Sequence, residues 1–304
     1  MEELEKEAEE MMKIRLSQIL INEEYKAGQF KVPVHLALGH EAIAVALNWV
    51  LKDNDRLILS HRNMAYNLAR LGKLRPILDE YLLKSTGLAY GKLGSMNLIN
   101  PARGIIYSSS VLGNNFPVSV GVAMADKISG RECVTFVLGG DGSIEEGSFY
   151  ESLVMAKAFG VRLIFLIENN EWSLGTHISE RRCPIDVQKI AGSVDIPYFK
   201  IKGNHVHKYF EILANVKESA LRESNPICVE VMVKTLGDRK ADDGHYIDYH
   251  AGPTPSVDVT KHFPGGILRE NEEDPIFVIN QELGKEKILE ISRNAMKELK
   301  RELA

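Results

Sequence analysis

Three short apolar runs, each separated from the next by a stretch with helical spacing, constrain the fold of this chain more than any other feature. The runs cover 133–138, 161–167 and 227–233, whereas 148–159 and 205–223 have the spacing of helices. An uninterrupted apolar run rich in β-branched residues is typical of a strand that is buried on both faces. Strands of this kind that alternate with helices predict an α/β fold, in which a parallel sheet carries helices on both faces.

Composition and charge narrow the class of protein. Of the 304 residues, 44% are hydrophobic and the formal net charge is −5, a balance that is typical of a globular chain rather than a disordered one. The acidic balance argues against nucleic acid as a partner, because phosphate binding requires a basic face. No apolar run reaches the roughly 18 residues of a membrane span. The acidic start of the chain does not resemble a targeting peptide, so we expect a soluble, cytoplasmic protein.

The remaining patterns predict one α/β domain between two terminal segments. An amphipathic pattern predicts an N-terminal helix within 1–34, and the α/β domain covers 35–265. Its last part, 235–265, is rich in Gly, Asp, His and Pro without periodicity, which predicts a long active-site loop. A helical tail over 266–304 completes the chain, with one charged helix over 281–304.

The first part of the domain is predicted to be helical. Helical spacing indicates helices over 40–51 and 64–71. Pro76 is suited to open a third helix that runs to Leu83, because proline fits the first helical turn. Glycine and serine residues then indicate a loop that reaches Pro117.

Polar side chains follow two of the predicted strands, at the point where each strand ends. Residues 139–143 follow one strand and 168–172 follow the next. The carboxyl ends of parallel strands meet at one edge of a sheet, where ligands bind in α/β folds. Asp141 and Asn170 would supply two oxygen ligands for Mg²⁺ there, and a backbone carbonyl just after Asn170 would supply a third.

The glycines beside Asp141 suit a phosphate group. Gly140 and Gly142 lack side chains, so backbone N–H groups and the next helix terminus can approach an anion. Each motif alone has an ordinary explanation, since Gly-Asp-Gly is common in turns and Asn-Asn caps helices. Their combination, with a strand before each, favours a site for a metal ion and a phosphate.

The motif resembles a known fingerprint. Gly140-Asp141-Gly142, followed after 26 residues by Asn169-Asn170, resembles the thiamine diphosphate motif. The stretch 139–176 is similar to the alpha subunit of the decarboxylating component of 2-oxo acid dehydrogenases, and the resemblance extends over about 35–250. It implies a thiamine diphosphate-binding fold with thiamine diphosphate and Mg²⁺ as cofactors.

The resemblance also implies roles for individual residues. Mg²⁺ would be held by three oxygen donors: Asp141, Asn170 and the backbone carbonyl of Trp172. The cofactor would be bound by a further set around the same residues: Arg62, Leu112, Gly140, Asp141, Gly142, Ser143 and Asn170. Within that set, the Gly142 and Ser143 amides and Arg62 would contact the diphosphate, and the Leu112 carbonyl would face the aminopyrimidine.

The sequence departs from the family pattern at residues that would face the substrate. Met64 and Asn97 stand where the family has histidines, and neither side chain can shuttle a proton as imidazole does. In the predicted loop, His245 resembles the histidine of the family's active-site loop. We therefore expect His245 to be the catalytic proton donor.

The resemblance implies an obligate partner chain. In the family, a glutamate that activates the aminopyrimidine belongs to a second domain or to a separate beta chain. The 304 residues leave no room for a second pyrimidine-binding domain of roughly 150–200 residues. An α₂β₂ heterotetramer follows as the expected assembly, with a lipoyl acyltransferase as a further possible partner.

Three functions are compatible with these observations. The first is an alpha subunit that decarboxylates a 2-oxo acid and transfers the acyl unit. The second is a split transketolase or an acyloin-forming carboligase, which would transfer a two-carbon or acyl unit to an aldehyde, ketone or sugar. The third is a structural subunit without catalysis, which the retained Asp141, Asn170 and glycines disfavour.

Overall fold

A six-stranded parallel sheet lies at the centre of the structure, a computed structural model that describes residues 2–237, 239–240, 246–247 and 265–304. The strands are β1 (Arg56–Ser60), β2 (Ile105–Ser109), β3 (Thr135–Gly140), β4 (Leu163–Asn169), β5 (Trp172–Ser173), β6 (Thr176–His177), β7 (Tyr198–Ile201), β8 (Ile227–Met232), β9 (Arg239–Lys240) and β10 (Tyr246–Ile247). The order in the sheet is β2-β1-β3-β4-β8-β7, with parallel pairing throughout. The short strands β5 with β6 and β9 with β10 form two separate antiparallel pairs.

Helices cover both faces of this sheet. They are α1 (Glu2–Lys26), α2 (Glu41–Val50), α3 (Met64–Leu71), α4 (Arg75–Tyr81), α5 (Asn115–Ile128), α6 (Gly147–Phe159), α7 (Ile178–Arg181), α8 (Val187–Gly192), α9 (Val206–Glu223), α10 (Pro275–Leu283) and α11 (Lys285–Leu303). One hydrophobic core contains buried residues of α1, α2, α3, α4, α9, α10 and α11, and a second contains those of α5, α6 and α8.

The central strands supply side chains to both cores in alternation. Phe136 and Leu138 belong to the first core, whereas Val137 between them belongs to the second. The same alternation holds in β4, where Leu166 and Phe165 point to opposite cores. Successive side chains of a strand point to opposite faces of its sheet, so an apolar residue is needed at every position. The predicted α/β class, with a parallel sheet between two layers of helices, is thereby confirmed.

A buried ion-pair cluster joins the two ends of the chain. The Arg15 guanidinium on α1 donates to Glu41 at the start of α2, with 2.6 Å between Nε and Oε1. It also donates to Asp274, the N-cap of α10, with 3.0 Å between Nη2 and Oδ1. The Gly266 carbonyl accepts a third hydrogen bond from Arg15. The terminal helices therefore share one core and one ion-pair cluster with the α/β body.

Two parts of the sequence fold differently from the prediction. The predicted loop before Pro117 contains strand β2, and α5 begins at Asn115. The sequence of β2, IIYSS, carries only two aliphatic residues, so pairing with β1 rather than an apolar run identifies this edge strand. The predicted single helix over 281–304 is two helices, because the backbone turns at Gly284, where φ is 84°.

The predicted loop over 235–265 lies mostly outside the described residues, and His245 is among those not described. None of the helices in the described part of the chain is long and apolar enough to span a membrane.

Candidate functional site

The carboxyl ends of three neighbouring strands open onto one cleft. β1 is followed by His61-Arg62, β3 ends at Gly140 and β4 is followed by Asn170. All eight residues predicted for cofactor or metal binding that the structure describes line this cleft: Arg62, Leu112, Gly140, Asp141, Gly142, Ser143, Asn170 and Trp172. The register explains this, because β3 pairs with β4 so that Gly140 lies opposite Glu168.

The end of β3 and the turn that follows it are closely packed against neighbouring elements. A Cβ added to Gly139 would lie 2.3 Å from the Phe116 ring, and one added to Gly142 would lie 2.9 Å from Ser173 Oγ. At Gly140, by contrast, the nearest atoms would lie 3.9 Å away. Packing therefore leaves no room for a side chain at Gly139 and little room at Gly142, whereas a Cβ at Gly140 would make only ordinary contacts.

The Asn170 amide is fixed at both ends. Its Oδ1 accepts the N–H of Trp172 at 3.0 Å, and its Nδ2 donates to Thr235 Oγ1 at 2.8 Å. The intervening Glu171 has a φ of 68°, in the left-handed region that is uncommon for residues other than glycine. This turn folds the backbone back toward the cleft and brings Trp172 beside Asn170. An amide oxygen has two lone pairs, so Oδ1 retains one acceptor position.

A buried chain of hydrogen bonds runs from Asn170 through Thr235 to His40 and Glu168, both of which also line the cleft. Thr235 Oγ1 lies 3.0 Å from His40 Nε2, and His40 Nδ1 lies 2.8 Å from Glu168 Oε1. The Tyr66 hydroxyl donates to the same Glu168 oxygen at 2.6 Å. The directions are consistent when Asn170 donates to Thr235, Thr235 donates to His40 Nε2, and His40 Nδ1 donates to an ionised Glu168.

The pKa values of Glu168 and Tyr66 agree with these hydrogen-bond directions. Burial raises the pKa of Glu168, but the interactions with His40 and Tyr66 outweigh burial and hold this pKa below its usual value. Burial raises the pKa of Tyr66 well above its usual value, and the adjacent Glu168 raises it further. Glu168 is therefore a buried carboxylate that accepts hydrogen bonds from His40 and Tyr66. The sequence signal for it is one charged residue directly after the apolar part of strand β4.

A neutral imidazole also lines the cleft. Burial and the neighbouring Arg62 lower the pKa of His61 to about 4, although Glu168 opposes the shift. The His61 ring lies edge-on to His35, with 4.8 Å between the centroids. Arg62 is held in turn by a hydrogen bond to the Leu36 carbonyl. The predicted family histidine positions are not part of the cleft wall, since Met64 is buried in the core and Asn97 is exposed.

Arg181 contacts the predicted metal ligand. Its guanidinium donates to Asp141 Oδ2 and to Glu145 Oε1, and Arg182 Nε lies 2.8 Å from the same Glu145 oxygen. From the sequence, these two arginines are most simply a surface pair, with contact to an anionic substrate or to a partner as the alternative. Both side chains are about nine-tenths buried in the structure. Burial raises the pKa of Asp141, and Arg181 together with backbone N–H donors limits the shift.

The oxygen atoms at the cleft are suited to a cation that takes its remaining ligands from a bound anion. Among the described residues, no group of three His, Cys, Asp or Glu side chains is arranged to hold a metal ion. Asp141, Asn170 and the Trp172 carbonyl are instead one carboxylate and two neutral oxygens at one cleft. Mg²⁺ is commonly bound by one or two carboxylates together with phosphate oxygens and waters. The residues therefore fit Mg²⁺ held jointly with a diphosphate.

Comparison with known proteins identifies relatives over most of the chain. The family model described as "Dehydrogenase E1 component" matches residues 9–246. The pyruvate dehydrogenase E1 component subunit alpha of Rickettsia bellii is 28% identical over 230 residues, which cover 76% of this chain and 71% of that protein. The mitochondrial protein of the same name from Saccharomyces cerevisiae is 28% identical over 234 residues, covering 77% of this chain and 55% of that protein.

The fold is also that of solved transketolases. The Campylobacter jejuni transketolase structure superposes with a TM-score of 0.62 at 17% identity, over 98% of this chain and 48% of that chain. A transketolase mutant structure from Pichia stipitis, in complex with xylulose 5-phosphate, gives a TM-score of 0.62 at 16% identity over 96% and 45% of the two chains. This chain therefore spans about half the length of the transketolases, and at this identity the likeness concerns the fold alone.

Proposed function

Because the chain belongs to the dehydrogenase E1 component family, as the alpha subunit of a thiamine diphosphate-dependent 2-oxo acid dehydrogenase, we propose that its cleft binds the diphosphate of that cofactor together with Mg²⁺. The observation that carries the proposal is the convergence of the eight predicted residues on one cleft at the carboxyl edge of the sheet. The substrate is a 2-oxo acid, for which the names of the relatives make pyruvate the first candidate.

Each end of the cofactor has its own residues in this proposal. Asp141, Asn170 and the Trp172 carbonyl hold the cation, and the backbone N–H groups of Gly142 and Ser143 receive the diphosphate oxygens. The guanidinium of Arg62 adds a positive charge beside them, which suits a phosphate group. The exposed Leu112 lies at the mouth of the cleft, where its backbone carbonyl would face the aminopyrimidine.

The chemistry divides between the cofactor and the chain. When bound, thiamine diphosphate supplies the nucleophilic carbon and the electron sink for decarboxylation. The chain orients the cation ligands through the hydrogen bonds from Asn170 to Thr235 and from Thr235 to His40. His61, a neutral imidazole at the wall of the cleft, can accept or donate a hydrogen bond at the substrate. His245 remains the predicted proton donor of the active-site loop.

A separate beta subunit completes the proposed site. The relatives are named as alpha subunits of the pyruvate dehydrogenase E1 component, a name that implies a second kind of subunit. We propose that the partner brings the pyrimidine-binding domain and the activating glutamate, in an α₂β₂ assembly located in the cytoplasm. A lipoyl acyltransferase would then receive the acyl unit.

A binding titration tests the site before the substrate is known. Trp172 lines the cleft, so bound thiamine diphosphate should quench its fluorescence when Mg²⁺ is present. The Asp141→Ala variant removes the only carboxylate of the donor set and should lose the quenching and all 2-oxo acid-dependent reduction of an artificial electron acceptor. The exposed Asp53 provides a control, because Asp53→Asn should change neither signal.

A second set of assays identifies the acceptor of the transferred acyl unit. The chain should be purified with its natural partner and supplied with a free lipoyl domain, an aldehyde or a sugar in separate assays. Acyl transfer to the lipoyl domain supports the dehydrogenase assignment. Transfer to the aldehyde or sugar alone favours the carboligase or transketolase alternative. Full activity of the Asp141→Ala variant would refute the site itself.

A further inference from the structure

Arg181 places a positive charge beside the predicted metal ligand Asp141. Its two terminal nitrogens donate to Asp141 and Glu145, and its side chain is only 10% exposed. A guanidinium stays protonated even when it is buried, so Arg181 is a permanent cation at this carboxylate. Asp141 itself is 2% exposed, and water therefore does little to screen the pair.

The Asp141 carboxylate is held by a side chain. Its Oδ2 accepts from the Arg181 guanidinium, whereas the Asp141 backbone N–H donates to the Glu168 carbonyl. The arginine side chain can rotate away without unfolding the turns after β3 and β4. A divalent cation that binds Asp141 therefore competes with Arg181.

Arg181 belongs to a short strap, defined here as residues 171–182, that folds over the turn after β3. The strap contains the β5–β6 hairpin and helix α7, whose His177 N-cap forms a reciprocal capping box with Glu180. It begins directly after Asn170. A Cβ on Gly142 would meet Ser173 Oγ at 2.9 Å and Arg181 Nη1 at 3.4 Å, so the strap lies directly on the turn.

The local charges are balanced before any ligand enters. Asp141 and Glu145 contribute two negative charges, and Arg181 and Arg182 contribute two positive charges. Glu145 is exposed, whereas the side chains of Asp141, Arg181 and Arg182 are at most 10% exposed, so a divalent cation alone would add two positive charges to a neutral, largely buried cluster, which is costly. A cation that enters with a diphosphate brings compensating negative charge. The cluster therefore disfavours the bare cation and tolerates the cation–diphosphate pair.

We propose that Arg181 is a built-in competitor for the divalent cation at Asp141, which it releases when cation and diphosphate enter together. The inference rests on the proposed metal site and extends it, because it assigns the order of binding to a residue outside the fingerprint. Glu145 is the second carboxylate that holds Arg181, so its released guanidinium stays close to the incoming phosphate groups.

The test is a Mn²⁺ titration of the full chain, purified with its partner and depleted of metal, with free Mn²⁺ followed by its paramagnetic resonance signal. In the wild type, Mn²⁺ should bind tightly only when thiamine diphosphate is present. Arg181→Gln should tighten Mn²⁺ binding without the cofactor by about tenfold or more, the ratio expected when one charged hydrogen bond no longer opposes binding. Arg181→Lys keeps the positive charge and should stay near the wild type.

Arg182→Gln is the matched control. Arg182 contacts Glu145 but not Asp141 among its ion pairs, so this variant should change Mn²⁺ affinity by less than Arg181→Gln does. Circular dichroism of the metal-free variants checks that they fold. Hydrogen exchange of the wild type provides a measurement without any substitution, since Mn²⁺ with thiamine diphosphate should alter exchange at the strap amides.

The outcomes separate the two proposals. If the wild type binds no Mn²⁺ even with thiamine diphosphate, the proposed metal site is wrong. If the wild type binds Mn²⁺ but Arg181→Gln leaves the affinity unchanged or weakens it, the metal site stands and the competitor role of Arg181 is overturned. Unchanged exchange in the strap on binding would overturn that role independently.

Discussion

The carboxylate of Glu168 shows how a single buried residue organises the site. It accepts hydrogen bonds from Tyr66 and His40, and the chain continues through Thr235 to Asn170. A buried charge is tolerated only when its hydrogen bonds are satisfied, and two donors meet this condition here. The network fixes the amide of a predicted metal ligand without any direct contact between Glu168 and that ligand.

Glu7 is a buried carboxyl group whose pKa is raised in the folded state. Burial raises its pKa to about 7, and Glu282 and Glu3 add to the shift while His207 opposes it. The folded state thus holds the Glu7 proton more tightly than the unfolded state does. Stability from this group is fully present below pH 4.5 and is lost as the pH rises through about 7.

The Glu7→Gln variant should reveal this loss, because glutamine resembles the protonated side chain at every pH. Its melting temperature should exceed that of the wild type at pH 8, and the two should converge near pH 4.5. Glu9→Gln, at an exposed position of the same helix, should show no such pH-dependent difference. An equal gap between wild type and Glu7→Gln at both pH values would contradict the assignment.

At the scale of elements, the end of β3 packs closely against helix α5. Phe116 on α5 lies against Gly139 and is packed by Phe149, with 5.0 Å between the ring centroids. The Phe116 ring is fully buried, so it cannot move aside. The floor of the cleft is therefore set by packing on the far side of the sheet.

Gly139→Ala should consequently destabilise the fold. The added Cβ would lie 2.3 Å from the Phe116 ring, and overpacking of a core costs about 1–3 kcal/mol. Gly147→Ala is the control, because a Cβ there meets no atom within 4 Å and alanine favours the helix. The midpoint of urea unfolding measures both variants. A midpoint for Gly139→Ala equal to that of the wild type would show that the strand and helix can separate freely.

At the scale of the whole molecule, one buried cation holds the two chain ends together. Arg15 and both of its carboxylate partners, Glu41 and Asp274, have fully buried side chains. The Glu41 carboxylate also accepts the Gly39 N–H at 2.8 Å, immediately before the His40 of the site network. The terminal helices are thus coupled to the segment that supports the cleft.

Removal of Arg15 should therefore strongly destabilise the folded state. Arg15→Met leaves two buried carboxylates without their cation and should lower the free energy of unfolding by about 3–5 kcal/mol. Lys13→Met breaks a pair with Glu298 at exposed side chains and should cost no more than about 1 kcal/mol. Denaturant unfolding compares the two. Equal, small effects would mean that the chain ends fold independently of the α/β body.

Local patterns in the sequence determined the fold class and most of the site. The apolar runs predicted β3, β4 and β8, because strands buried on both faces need apolar residues at every position. The same reasoning placed Asp141 and Asn170 at one edge, since parallel strands end together.

Tertiary structure alone decided the contacts between distant segments. Thr235 lies between His40 and Asn170 because β8 pairs beside β4, and Arg181 reaches Asp141 because the strap folds back over the turn. Edge strand β2 is likewise defined by its partner β1. Such contacts depend on which strands become neighbours, and hydrophobic periodicity carries no information about that order.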